Sequence, residues 1–184
     1  MIIEDIIKGT NGTVIREGFC TEITGYSIDS RTISEKNLFI PLKGENVDGH
    51  RFINKAYEAG AKAVLIDRDI NLQGLDNIWV IRVNDVLEAL QRLGRFYLDK
   101  YGPKVVGITG STGKTSTKDL IYSVLSMKYR VLKNEGNYNN HIGLPLTLLN
   151  TSMDHDVLVL EMGMSDRGEI DFLAELAQPH IGVI

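Results

Sequence analysis

Apolar residues are distributed in two different ways along the chain, and the change falls near residue 102. Before it, short apolar runs stand between polar segments. ITGYSIDSRT (23–32) is polar and β-leaning, and NLFIPL (37–42) reads as a short strand. Phe52, Ile53, Ala56 and Tyr57 recur at helical spacing, which predicts a helix over 51–59 closed by Gly60. AKAVLID (61–67) and IWVIRV (78–83) are continuous apolar runs of strand length, separated by a polar loop containing Gly74. Asp85 can cap the next helix, in which Val86, Leu90, Leu93 and Tyr97 share one face. It runs to about Lys100 and gives out at YGP (101–103).

From Lys104 the pattern is strict alternation of strand and helix. KVVGIT (104–109), RVLK (130–133), DVLVLEM (156–162) and HIGVI (180–184) read as strands. Between them, 114–128 reads as a helix with Leu120, Ile121, Val124 and Leu125 turned to a core, and 168–177 as another. Buried strands alternating with amphipathic helices imply a parallel sheet covered on both faces. The expected class is therefore α/β, in two domains: a small mixed α/β domain over 1–102 and a parallel-sheet domain over 103–184. Ile184 falls in mid-strand, so a longer parent chain is expected.

Composition narrows the functions. With 43% apolar and 24% charged residues, the chain suits a soluble globular protein. Runs such as VLVL (157–160) are too short to span a bilayer, and MIIEDIIKG lacks the basic leader of a secretory signal. Cys20 is the single cysteine, which fits a reducing cytoplasm. A net charge of −4 gives no basic field for nucleic acid or an anionic membrane. Any polyanion must be held by local donors.

Such donors are concentrated in ITGSTGKTS (108–116). The glycines let the backbone turn from strand to helix and approach a ligand closely. The first amides of the helix lack internal partners and sit at its positive end, a fit for phosphate oxygens. Lys114 can reach the β- and γ-phosphates and the Thr115 hydroxyl can coordinate Mg²⁺. The strict phosphate-loop pattern wants glycine where Ile108 stands; Gly107 and Gly110 flank it instead. A second element is DVLVLEMG (156–163), a strand that delivers Glu161 to the carboxyl edge of the sheet, where it can face the same cation. Between them, NEGNYNNHIGLP (134–145) carries Asn137, Asn139, Asn140 and His141, polar enough to contact phosphate or substrate, though asparagine also serves left-handed turns.

Taken together, GITGSTGKTSTKDL, EGNYNNHIGLPLTLLN and VLEMGMSDRGEI resemble the ATP-binding domain of the Mur ligases, cytoplasmic amide-forming enzymes of peptidoglycan precursor synthesis. SIDSRTISEKNLFIPLKGENVDGHRFINKAYEAGAKAVLID resembles the domain by which such ligases hold the UDP end of their substrate. The glycines of the Mur-type loop fall where these do. The resemblance is greatest to the member that joins D-alanyl-D-alanine to UDP-N-acetylmuramoyl-tripeptide. It implies a P-loop NTPase-like domain with ATP on Gly110, Ser111, Thr112, Gly113, Lys114, Thr115, Ser116 and Asn140. It also implies Mg²⁺ on Thr115 and Glu161, and Lys114, Glu161 and Asn139 as catalytic residues. Ser30, Arg31, Lys43, Gly44, Asp48, Gly49, His50 and Asn137 would bind the UDP precursor.

The implied chemistry is transfer of the γ-phosphoryl group to a carboxylate, then displacement of the acyl phosphate by an amine. The 184-residue chain lacks the family's C-terminal domain and is expected to be inactive alone. A monomer is expected, with no nucleic-acid partner and no membrane insertion. Three alternatives stay open: the related ligase that adds the third peptide residue, a P-loop phosphotransferase, and a nucleotide-binding module without chemistry.

Overall fold

A computed structural model describes residues 1–184. It contains two separate sheets, of five and four strands. Contacts divide the chain into two compact units, Met1–Leu90 and Gln91–Ile184.

The first unit opens with α1 (Ile3–Thr10) and β1 (Thr13–Arg16), continues through β2 (Gly25–Ser27) and β3 (Asn37–Phe39), and makes a 3₁₀ turn at Gly49–Phe52. Then come α2 (Ile53–Glu58), β4 (Ala63–Ile66), β5 (Trp79–Arg82) and the start of α3 (Val86–Tyr101). Strand order is β1-β5-β4-β3-β2, parallel from β5 to β2, with β1 antiparallel at the edge. All four residues of β4 are buried, as a central parallel strand covered on both faces requires. One core of this unit joins Phe39, Val64, Ile66 and Val80 of the sheet to Ile53 and Ala56 of α2. The helix predicted over 51–59 is thus a 3₁₀ turn followed by α2. α1 and β1 go beyond the predicted elements; Ile3 and Ile6 are buried on one face of the eight-residue helix, whose Glu4 and Asp5 stand in its first turn.

In the second unit, β6 (Lys104–Ile108), β7 (Val131–Lys133), β8 (Val157–Glu161) and β9 (Ile181–Val183) are parallel, in the order β7-β8-β6-β9. The predicted alternation is therefore observed, with α4 (Lys114–Leu125), α5 (Gly143–Leu148) and α6 (Glu169–Ala177) connecting the strands. Side chains alternate across the sheet with period two. Val105, Leu158 and Leu160 pack with Leu144, Leu148 and Leu173 on one face. Val106, Ile108, Val157 and Val159 face the other way, against Ile121 and Leu125 of α4.

One expectation for α4 is corrected. Ile121 and Leu125 pack on the sheet, but Leu120 and Val124 are 69% and 67% exposed. A helix lying on a flat sheet buries only a narrow stripe, and the neighbouring row overhangs the edge strand β9, where Ile181 is itself exposed. α5 is also unanticipated. Its six residues are all buried, and Pro145 is tolerated because it stands in the first turn.

Candidate functional site

The phosphate-loop sequence forms the link between β6 and α4. Gly110 (φ 138°) and Gly113 (φ 77°) hold positive φ, which frees the backbone to turn within five residues. Thr109 N–H is spent on Val183 C=O at 2.9 Å, which ties the start of the loop to β9. At the other end, Thr117 N–H donates to Gly113 C=O at 2.9 Å. The amides of Gly113 to Ser116 therefore precede the helical ladder and face the open end of α4. Ser111, Thr112, Gly113, Thr115 and Ser116 are exposed. Lys114 folds back across the loop, its Nζ donating to Gly110 C=O at 2.7 Å.

Glu161 ends β8 directly beside β6, in register with Ile108, so sheet pairing alone brings it to the loop. It is only 4% exposed, not a solvated acid at a strand end. Its carboxylate is surrounded by donors. Oε2 accepts the Thr115 hydroxyl at 2.9 Å and lies 3.4 Å from Lys118 Nζ; Oε1 accepts Asn139 Nδ2 at 3.0 Å. A buried carboxylate needs this company, because an unpaired one would lose its hydration uncompensated.

The asparagine segment divides by role. Asn139 is on the acid, and its backbone C=O accepts Gly163 N–H at 2.7 Å. A Cβ at Gly163 would stand 3.0 Å from the Asn139 amide, so glycine permits this approach. Asn140 Oδ1 accepts the amides of Ile142 and Gly143 at 3.1 and 2.8 Å, capping the start of α5. Asn137 is exposed at the bend of the loop, where its C=O accepts Asn139 N–H. Beside Asn140 and Gly163 lies a cleft of about 390 Å³, lined also by Gln91, His141, Arg167 and Phe172.

Two residues of the site escape sequence inspection. Asn134 is fully buried; its amide pairs with both the N–H and the C=O of Glu161, at 2.9 and 3.0 Å, and with Tyr138 C=O. Lys118, 2% exposed, is the buried partner of Glu161. A signal for Lys118 existed: it lies one turn after Lys114 on the helix face that carries Ile121 and Leu125, where a lysine needs a buried acid. Nearby, the Lys133 ammonium, 2.8 Å away, holds Asp119 below the usual carboxylate range and is itself raised by Asp119.

In the first unit the predicted substrate residues form two clusters. Asp29 accepts the Arg31 guanidinium, Nη2 at 2.6 Å and Nε at 3.0 Å, and also the Arg31 amide. That contact lowers the Asp29 pKa to about 2 and raises that of Arg31. Ser30 sits half-buried in the same turn. The second cluster closes the loop 43–50: the backbones of Lys43 and Asp48 form an antiparallel β-bridge across it, Gly44 N–H donates to Val47 C=O, and Gly49 N–H donates to Leu42 C=O. Asp48 Oδ1 accepts both the amide and Nδ1 of His50, at 3.0 and 2.8 Å, while Oδ2 accepts Arg68 at 2.6 Å. The His50 amide bond, then the ring and Arg68, hold Asp48 below its ordinary pKa. Asp48 and His50 thus brace the loop as well as lining it, with Arg68 a third member not foreseen from sequence.

Thr115 and Glu161 offer two hard oxygen donors, which fits Mg²⁺. No group of three or more His, Cys, Asp or Glu side chains is placed to hold a metal, so these two side chains alone would not fill the shell of a bound ion.

Comparison with known proteins bears on the whole chain. Residues 108–184 match the Mur ligase middle domain, and residues 22–98 match the Mur ligase family, catalytic domain. The UDP-N-acetylmuramoyl-tripeptide–D-alanyl-D-alanine ligase of Bacillus subtilis is 50% identical over 182 residues, 99% of this chain and 39% of that protein. Its Escherichia coli counterpart is 32% identical over 182 residues, 99% of this chain and 38% of its own length. Among solved structures, a crystal structure of MurF from Acinetobacter baumannii superposes with a TM-score of 0.91 at 32% identity, covering 98% of this chain and 39% of that one. MurF from Thermotoga maritima in complex with ADP gives 0.74 at 36% identity, covering 84% and 35%. The chain therefore spans well under half the length of the relatives it matches. Both sheets, in order, match the same kind of enzyme: the chain belongs to the Mur ligase family.

Proposed function

We propose that the protein of which this chain forms part is an ATP-dependent, ADP-forming amide ligase of cytoplasmic peptidoglycan synthesis, joining D-alanyl-D-alanine to UDP-N-acetylmuramoyl-tripeptide. The single observation that carries the proposal is the contact of the Thr115 hydroxyl with the buried Glu161 carboxylate at 2.9 Å, at the mouth of a glycine loop whose amides open outward. The 50% identity to a relative named for that reaction supports the choice of substrates.

In this proposal residues 103–184 hold the nucleotide and residues 1–102 the UDP precursor. Gly110 to Ser116 wrap the triphosphate, and Lys114 exchanges its bond to Gly110 C=O for phosphate oxygens. An amine cannot displace oxide from a carboxylate, because oxide is too poor a leaving group. Phosphorylation converts that oxygen into phosphate, which leaves readily, and the amine then forms the amide bond. Little of this needs covalent help from the protein; positioning and charge neutralisation carry the rate. Thr115 and Glu161 would hold Mg²⁺, which when bound would supply Lewis-acid neutralisation of the transferring group. Asn139 keeps Glu161 oriented, Asn140 fixes the chain entering α5 beside the nucleotide, and Asn137 offers an exposed amide to substrate. The cleft with Arg167 and His141 can receive a peptide carboxylate. In the first unit, the turn at Ser30 and Arg31 and the loop with Lys43, Gly44, Asp48, Gly49 and His50 are proposed to hold the UDP part.

The test is phosphate release by the complete protein with ATP, UDP-N-acetylmuramoyl-tripeptide and D-alanyl-D-alanine. Release is expected only with all three present, together with an amide product. Release that ignores the dipeptide would point to a phosphotransferase, and release with a free amino acid on the dipeptide precursor to the third-residue ligase. Lys114→Ala should lower turnover on the order of 10²–10³-fold, as loss of a preorganised charge donor does.

A further inference from the structure

Lys118 is a cation in a place where the chemistry wants another one. Its side chain is 3% exposed, and its Nζ lies 3.4 Å from Glu161 Oε2, the oxygen that also accepts the Thr115 hydroxyl. A lysine is seldom buried without an acid, because ammonium loses its hydration. Here the acid is the only carboxylate among the proposed nucleotide-site residues. Asp119, next in sequence, is turned to the surface and paired with Lys133. The Glu161 carboxylate is therefore already neutralised by a fixed charge on α4, and its other oxygen is taken by Asn139.

We propose that Lys118 is a resident counter-cation that prevents Glu161 from taking a free divalent cation, so that the metal enters only with the phosphates of the nucleotide. The proposal rests on Glu161 being the metal-side acid. A dication approaching the Thr115–Glu161 pair meets one anionic charge and one cationic charge, in a partly desolvated setting that strengthens repulsion as much as attraction. Only two protein oxygens are on offer. A polyphosphate reverses the balance by adding several negative charges and the missing ligands. Lys118 reaches the site from the same helix that presents the loop amides, so it is a positioning residue: it sets the charge and direction of Glu161 without touching the reacting atoms.

The test uses Mn²⁺ as the probe, followed by electron paramagnetic resonance on the complete protein without substrates. Wild type should bind Mn²⁺ at this site weakly when alone and at least tenfold more tightly with ADP. Lys118→Met should raise the affinity for Mn²⁺ alone at least tenfold and leave that with ADP near the wild-type value, so that the ADP effect shrinks by the same factor. Lys118→Arg should restore the wild-type pattern, and Lys118→Met/Glu161→Gln should abolish the gain. If Lys118→Met does not accumulate as folded protein, Lys118→Gln gives the same readout with a hydrogen-bonding end. Equal Mn²⁺ affinity in wild type and the neutral Lys118 variant, with Glu161→Gln still weakening Mn²⁺·ADP binding, overturns this inference alone. If Glu161→Gln leaves Mn²⁺·ADP binding unchanged, the metal assignment of Glu161 and the inference fall together.

Discussion

Asp29 and Arg31 are two residues apart, yet their fork of hydrogen bonds sets a carboxyl pKa of about 2. The folded value lies below the ordinary value of 3.8, so the contribution to stability is present above about pH 4 and is lost as pH falls through 2. Side-chain carboxyl NMR should place the Asp29 midpoint near 2, and Arg31→Ala should return it towards 3.8. An unchanged midpoint in that variant would remove the contact as the cause. Buried Asn134 matters differently. Asn134→Ala strands the N–H and C=O of Glu161, each unsatisfied group costing about 1–3 kcal/mol. Urea unfolding should register a loss of about 2 kcal/mol or more; a change below about 0.5 kcal/mol would show that water replaces the amide without cost. Gly163→Ala aims at function instead. Its new methyl would displace the Asn139 amide from Glu161, lowering turnover in the proposed reaction of the complete protein on the order of tenfold with little change in unfolding midpoint.

At the scale of elements, β8 and α4 carry the site by different means. Leu158 and Leu160 are fully buried on one face of β8 and Val159 on the other, which fixes the register that delivers Glu161. Leu158→Ala should destabilise by about 2–5 kcal/mol, whereas Leu120→Ala, on the overhanging row of α4, should fall within about 0.5 kcal/mol in this chain. Paired denaturation curves check both, and comparable losses would place Leu120 in the core after all. The strand was legible because a short apolar run rich in valine and leucine, bounded by polar segments, suits a strand buried on both faces of a parallel sheet. The burial of α4 was not, because periodicity gives the width of an apolar stripe but not how much sheet lies under it. α5 escaped for a related reason: all six of its residues are buried, so it shows no polar face from which a period could be read.

For the whole molecule, two sheets in succession, each resembling its counterpart in the same enzyme family, form a chain about two-fifths as long as the Bacillus subtilis relative. Amide formation is accordingly expected of the complete protein, and the 184 residues by themselves should release no phosphate in response to D-alanyl-D-alanine. A substrate-dependent signal from this chain would contradict that. No helix is long and apolar enough to cross a membrane. What the sequence determined unaided was local: glycines where the loop needs positive φ, a lysine and hydroxyls at a helix start, and an acid closing a hydrophobic strand. Such features depend on neighbours a few residues apart, whose conformations are set by sterics and hydrogen bonding along the chain. Only the tertiary structure decided that Glu161 is buried, that Asn134 braces it from 27 residues away, and that Lys118 shares its charge. Each of these depends on which side chains are brought together out of water, and that is a property of the parallel pairing of β8 with β6 on one side and β7 on the other rather than of any one segment.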